Sequence, residues 1–111
     1  MQKDTRQFIE SLGNSARAAL KSGDKIPSGA ELSYHAAKQA NDRIFTLKNI
    51  DDIILNNKKI RQKEFHPNGE IRWRYQDKRG NTVITNEDGT RIITVYSHPA
   101  SKNNEQYIPK N

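Results

Sequence analysis

The chain has 111 residues, enough for one domain, and only 32% of them are hydrophobic, which allows a modest core. It has no cysteine, which excludes disulfides, thiol catalysis and thiolate metal sites. No apolar run approaches about 18 residues and no signal-peptide pattern is present, so the sequence predicts neither a membrane span nor an export signal of its own.

The formal net charge of +6 is concentrated in one part of the chain. Residues 58–79 carry 8 basic and 3 acidic side chains, a balance of +5, whereas residues 1–57 carry 8 and 7 and residues 80–111 carry 3 and 3. A surplus confined to 22 residues indicates an anionic partner more strongly than an even distribution would.

Three helices are predicted in the first half of the chain. Residues 5–21 carry apolar side chains at helical spacing. A second helix is expected from about Ala30 to Arg43, with Ser28 as its cap. A third, short helix with regularly spaced isoleucines begins at Thr46 or Asn49.

The second half of the chain predicts antiparallel strands separated by turns rich in glycine and asparagine. The expected strands are 60–65, 70–77, 81–87 and 90–97. The fold class is therefore α+β, with two to three N-terminal helices packed on a single twisted antiparallel sheet of about four strands. Within one domain, residues 1–27 are expected to form an accessory helix, residues 28–98 the core and residues 99–111 a loose tail.

The last predicted strand is the most apolar and is expected to be central, covered on both faces. Alternation places Ile93 and Val95 on one face and Thr94 and Tyr96 on the other. His98 follows in phase, so the second face is a plausible wall for a polar site.

The first predicted hairpin carries most of the charge surplus. A four-residue loop at 66–69 would pair Lys63 with Arg72 and Arg61 with Arg74, so these four cations would share one face. That face is either a phosphate-binding platform or a solvated surface whose long side chains extend into water. Trp73 and Tyr75 fall on the other face, where core packing is the simpler interpretation and base stacking the alternative.

No metal-ligand spacing and no phosphate-binding loop motif occurs, so the remaining chemistry is acid–base work by histidine assisted by cations. Arg43 lies two turns after His35 on the second helix, and Gln39 and Asp42 share their helix face. A base would take the proton of a ribose 2′-hydroxyl, which attacks the adjacent phosphorus, and a cation would stabilise the phosphorane. The alternatives are a helix-surface or helix–sheet interface role for His35, an ion pair of Arg43 with an aspartate, Asp42 or Asp51, and simple β-propensity for Thr94. For Tyr96 the alternative is core packing, and for His98 it is a loop position before Pro99.

Three segments together resemble small bacterial ribonuclease toxin domains with the barnase/EndoU/colicin/RelE-like fold, which are found at the C-termini of polymorphic and contact-dependent growth-inhibition toxins. The segments are His35–Arg43, Ile50–Ile54 and Asn86–Tyr96. They match a helical histidine followed eight residues later by arginine, a short helix with spaced isoleucines, and a last strand ending Thr-x-Tyr.

The resemblance implies a cofactor-free and metal-free endoribonuclease that cuts tRNA to a 2′,3′-cyclic phosphate. It implies delivery as part of a larger exported protein, action in the cytoplasm of a target bacterium, a cognate immunity protein with an acidic surface, and for some such toxins elongation factor Tu. Where related patterns carry a second basic residue, this chain has Gln39, so that role falls to Lys38 or the hairpin. The expected catalytic residues are His35, Arg43, Thr94, Tyr96 and His98. The expected RNA-binding residues are Arg61, Lys63, Arg72, Arg74 and Lys38.

Two hypotheses of other classes remain open from the sequence. A non-catalytic nucleic-acid-binding module needs only the basic stretch and its aromatic residues, and it predicts binding without cleavage. A protein-binding domain would direct the same cations at an acidic partner. Nuclease activity separates the first hypothesis from both.

Overall fold

The computed structural model describes residues 18–98 and 105–109. The predicted first helix lies almost entirely outside these ranges, and residues 18–21, which fall inside, are not helical. No helix in the described ranges is long and apolar enough to cross a membrane. The elements in chain order are β1 (Glu31–Leu32), α1 (Tyr34–Arg43), α2 (Leu47–Asn56), a 3₁₀ turn (Lys58–Ile60), β2 (Gln62–Phe65), β3 (Ile71–Gln76), β4 (Thr82–Asn86) and β5 (Arg91–Tyr96).

The fold is α+β, with two helices packed against one mostly antiparallel sheet of five strands in the order β1-β5-β4-β3-β2. The predicted class is confirmed, and the sheet has one more strand than expected. The added strand is β1, which pairs parallel with the start of β5 through Glu31 with Arg91 and Leu32 with Ile92. Glu31 and Leu32 were expected inside the second helix.

Helix α1 begins four residues later than predicted, and its cap is Ser33 and not Ser28. Ser33 has an extended backbone and its hydroxyl accepts the N–H of Ala36 at 3.0 Å, which satisfies one of the free donors of the first turn. Helix α2 is capped at Thr46, the earlier of the two predicted starts. The Thr46 hydroxyl accepts the Asn49 N–H, and the Asn49 side chain accepts the Thr46 N–H.

The core lies between the two helices and one face of the sheet. Three alanines of α1 are buried, and their small side chains allow the helix to lie close to β5. Helix α2 contributes Ile50, Ile53 and Ile54, which follow helical spacing. From the sheet come Tyr75, Val83, Ile92 and Val95.

The strand register observed in the first hairpin differs from the predicted register by one residue. The N–H of His66 donates to the carbonyl of Glu70 at 2.9 Å, so the loop has three residues, 67–69, and ends at Gly69 with φ +90°. Phe65 therefore pairs with Ile71, and Lys63 with Trp73. A one-residue shift moves a whole strand to the other face, so the prediction of four cations on one face is wrong.

The side chains of β5 do not alternate between the two faces of the sheet as predicted. The register shifts at the bulge opposite Ile84 and Thr85, where Thr94 pairs with Ile84 but Ile92 pairs with Thr85. The extra residue, Ile93, lets Ile92 and Val95 both face the core. The strand is also second in the sheet and not central, because β4 occupies the middle position.

The described part of the tail, residues 105–109, is anchored and not loose. Asn81 has no exposed surface and its side chain exchanges two hydrogen bonds with the backbone of Ile108, both 2.8 Å long. The same amide group accepts the Ser97 hydroxyl at 3.0 Å and donates to Asp77 at 3.0 Å. The ring of Tyr107 packs edge-on against Phe45, with centroids 5.3 Å apart.

We therefore expect Asn81→Ala to lower the free energy of unfolding by roughly 2–4 kcal/mol, because it removes four hydrogen bonds and leaves buried partners unsatisfied. Urea denaturation would measure the loss. The exposed turn residue Asn68, which accepts one N–H from Glu70, is the matched control. An effect of Asn81→Ala no larger than that of Asn68→Ala would contradict this account of the tail.

Candidate functional site

Side chains of α1 close the outer edge of β5 beyond the point where β1 ends. Gln39 accepts two hydrogen bonds through its side-chain oxygen, one from the N–H of Val95 at 3.0 Å and one from the hydroxyl of Thr94. Ser33 donates its hydroxyl to the carbonyl of Ile93 at 3.3 Å. Helix α1 is thus attached to the strand in place of a neighbouring strand.

Arg43 completes this contact one turn further along the helix. Its Nη1 donates to the carbonyl of Val95 at 2.8 Å, and its Nη2 lies 2.8 Å from Oε1 of Glu105 in the tail. The ion pair considered from the sequence, with Asp42 or Asp51, is replaced by this one. Asp51 instead accepts the N–H of Ser28 at 3.1 Å, and Asp42 lies 4.0 Å from Lys38.

His35 lies one turn before Gln39 on α1 and is exposed. Residues four apart on a helix are neighbours, so His35, Gln39 and Arg43 form one row on α1, and Gln39 and Arg43 of this row contact β5. The exposure of the row decreases along the helix, so that His35 is exposed and Arg43 is partly covered. The exposed imidazole of His35 is thus one helical turn from the side chain that binds the Thr94 hydroxyl.

Thr94 and Tyr96 occupy one face of β5, opposite the helices, and both are partly exposed. They pair with Ile84 and Thr82 of β4. His98 lies beyond the strand, next to the turn at Gly80, where a Cβ would come within 2.5 Å of the His98 Cβ. Four extended residues span about 13 Å, so His98 lies at the far end of the row that begins at Thr94.

The cations Arg72 and Arg74 share the face of Thr94, but both have acidic partners. Arg72 makes a two-bond contact with Glu70, each bond 3.0 Å long, and Arg74 lies 3.3 Å from Glu64. Arg74 is two strands from Thr94, a separation of about 10 Å across the sheet. This face therefore carries guanidinium groups whose charge is largely balanced.

The other two predicted RNA-binding residues of the hairpin lie on the helix side of the sheet or beside it. The guanidinium of Arg61 is stacked 3.6 Å from the centroid of Trp73 and donates to the hydroxyl of Tyr75 at 3.1 Å. The ammonium of Lys63 lies 5.2 Å from the Trp73 centroid and 5.9 Å from that of Phe65. Sequence reasoning placed these cations beside Arg72 and Arg74.

A cavity of about 540 Å³ lies between the end of α2, the β3–β4 turn and Tyr107. Its lining includes Asp52, Asp77 and Arg79 but none of the predicted catalytic residues. Within the described ranges, no group of three or more His, Asp or Glu side chains is arranged to hold a metal ion. The predicted catalytic residues instead lie on α1, along β5 and just beyond the end of that strand, outside this cavity.

Of the residues predicted from sequence, the structure brings Arg43 and Thr94 to the same stretch of β5, with His35 on the adjoining helical turn. Helical spacing predicts that Gln39 lies on the same helix face as His35 and Arg43, and in the structure Gln39 makes the direct bond to Thr94. The sequence did not predict that bond.

Comparison of the chain with protein-family models, with curated proteins and with solved structures gives no match. The resemblance to ribonuclease toxins therefore stays a prediction. Any function has to be argued from the side chains themselves.

The Glu70–Arg72 contact has a measurable consequence for acid titration. The hydrogen bond from Arg72 holds the pKa of Glu70 below its ordinary value of 4.5 and raises the pKa of Arg72. The stability from this lowered pKa is present above 4.5 and is lost as the pH falls through the folded-state value. Arg72→Gln should return the Glu70 pKa toward 4.5, as carboxyl ¹³C NMR would show. An unchanged Glu70 titration in the variant would mean that Arg72 is free to bind a ligand.

Proposed function

We propose that this protein is a metal-independent endoribonuclease that cuts tRNA, in the manner of the toxin domains it resembles. The observation that carries the proposal is the helical row of His35, Gln39 and Arg43, in which Gln39 is bonded to Thr94 of β5. It supports the proposal because His35, the candidate general acid–base group, is one helical turn from the residue that binds the Thr94 hydroxyl.

The roles follow from the exposure of each group. His35, in solvent, is the group that would take the 2′-hydroxyl proton. Thr94 would donate its hydroxyl to a phosphate oxygen once a ligand replaces Gln39 as its acceptor. Tyr96 and His98, further along the strand, are the candidates for protonating the leaving 5′-oxygen.

Arg43 is better described as a positioning residue than as a free phosphate ligand. Its guanidinium already contacts the Val95 carbonyl and the Glu105 carboxylate. We assign it to holding α1, β5 and the tail together, so that His35 and Thr94 stay on the same edge. This role differs from the direct catalytic one expected from sequence.

The biological setting that accompanies this proposal comes from the resemblance. The toxin would be part of a larger exported protein, would act in the cytoplasm of the target cell, and would be neutralised by an immunity protein. An acidic immunity protein would complement the basic surplus of residues 58–79.

Incubation of the purified protein with total tRNA in EDTA, with and without elongation factor Tu, tests the proposal. We expect fragments with 2′,3′-cyclic phosphate and 5′-hydroxyl ends. His35→Ala should lower the cleavage rate by roughly 10²–10⁴-fold, the usual contribution of a general acid or base. His66→Ala is the matched control and should leave cleavage unchanged, because His66 lies in the first hairpin turn beside Glu64.

Intact tRNA under all of these conditions would contradict the nuclease proposal. Salt-dependent binding of RNA without cleavage, unaffected by His35→Ala, would favour the non-catalytic nucleic-acid-binding module instead.

A further inference from the structure

The helix side of the sheet edge formed by β2 carries a second basic surface, apart from the edge where His35 and Thr94 lie. Four cations occur within residues 58–63, with no acidic residue among them. We call this surface the β2 strip. Its members are Lys58, Lys59, Arg61, Lys63, Phe65 and Trp73.

Within residues 18–98 and 105–109, the cations of the strip have no acidic partner, unlike Arg72 and Arg74. Among the described residues, none of the four has a carboxylate oxygen within 4.0 Å, whereas Arg72 and Arg74 are paired with Glu70 and Glu64. The hairpin register contributes to this difference, because it places Lys63 opposite Trp73 and brings Glu64 to the face of Arg72 and Arg74. In the described part of the chain, residues 58–79 include five cations without a carboxylate within 4.0 Å, and four of them are on the strip; the fifth is Lys78.

The strip also exposes an aromatic ring next to these cations. Phe65 is 74% exposed, and it lies two residues from Lys63 on the same side of β2, a separation of about 7 Å. Trp73 is fixed in place, because its indole N–H donates to the carbonyl of Glu87 at 3.0 Å and Arg61 covers its ring. Lys58 and Arg61 line one cavity of about 240 Å³ together with Tyr75, so the cationic surface continues from the 3₁₀ turn to the strand.

We propose that the β2 strip binds single-stranded RNA, with Phe65 stacking on an unpaired base and the lysines contacting the adjacent phosphates. Unbalanced cations with an exposed flat ring are the features by which proteins bind single strands without reading their sequence. A duplex offers the same phosphates but keeps its bases stacked, so the single strand is preferred. This inference rests on the proposed function, because it takes RNA as the ligand.

The ordinary alternative is that these residues protect an open sheet edge. β2 is the last strand of the sheet, and a lysine on an edge strand discourages pairing with other chains. Protection of the edge needs no bound ligand, and under this alternative Phe65 would not contribute to RNA binding.

Fluorescence anisotropy with a labelled single-stranded RNA of about 12 nucleotides tests the proposal, using the His35→Ala protein so that the probe is not cut. Titrations between about 50 and 200 mM salt give the slope of log affinity against log salt. The double variant Lys59→Gln with Lys63→Gln should reduce that slope by about 1.4, or about 0.7 for each lost phosphate contact. The matched double variant Lys21→Gln with Lys78→Gln removes the same charge elsewhere and should leave the slope unchanged.

The aromatic contribution is tested in the same assay. Phe65→Ala should weaken binding of the single strand about tenfold, and Phe65→Trp should restore it, because a flat ring is what stacks on the base. Tyr34, 73% exposed on α1, is the matched aromatic control, and Tyr34→Ala should leave the affinity unchanged. A duplex of the same length should bind more weakly and should not respond to Phe65→Ala.

Equal losses from Phe65→Ala and Tyr34→Ala, or equal slopes in the two lysine double variants, would overturn the proposal. A poly-glutamate peptide that displaces the labelled RNA as effectively as unlabelled RNA does would also overturn the proposal. The strip would then be a site for acidic proteins. Binding that depends on the strip in a protein that never cuts tRNA would leave the surface assigned and reject the nuclease. Cleavage of tRNA, with RNA binding unaffected by the strip variants, would support the nuclease and reject the assignment of the strip.

Discussion

The outer edge of β5 is the constraint on which the rest of this structure depends. A strand inside a sheet has backbone N–H and C=O groups on both sides, and each needs a partner when water is excluded. β1 covers only the first two residues of β5, so the following groups are bonded by the side chains of Ser33, Gln39 and Arg43. The carbonyl of Glu105 in the tail accepts the N–H of Ser97 at 3.2 Å and continues the same edge. Helix α1 therefore both completes this edge of β5 and carries residues of the candidate site.

Features determined by neighbouring residues were predictable from the sequence. The start of α2 and the turn between Asp77 and Asn81 depend on residues a few positions apart. The turn occurs as predicted, and α2 is capped at Thr46, one of its two predicted starts. Features that depend on distant partners were missed. β1 is only two residues long and exists because β5 is beside it, and the ion pair of Arg43 needs a tail residue that is close only in the folded chain. The row from His35 to Arg43 was predictable because helical spacing alone defines it.

The register of the first hairpin had the largest effect on the functional interpretation. The sequence located the charge surplus correctly in residues 58–79, but a loop of three residues in place of four changed which cations share a face. As a result, Arg72 and Arg74 lie beside glutamates on the open face, and Lys63 lies beside aromatic rings on the other. The cations of the hairpin are thus divided into a balanced group on the open face of β3 and an unbalanced group on the helix side of the β2 edge. Composition predicts an anionic partner, whereas only the pairing of strands indicates where that partner would bind.

Hydrogen exchange of the Val95 amide, followed by NMR, tests the attachment of α1 to β5 most directly. The account predicts strong protection in the native protein, because this N–H donates to Gln39 at 3.0 Å. In Gln39→Leu the acceptor is lost, and the protection of Val95 should fall by one to two orders of magnitude, as expected for a hydrogen bond worth about 1–3 kcal/mol, while the core amides keep theirs. A Val95 amide that exchanges as fast as exposed amides in the native protein, or that is equally protected in both proteins, would contradict the account.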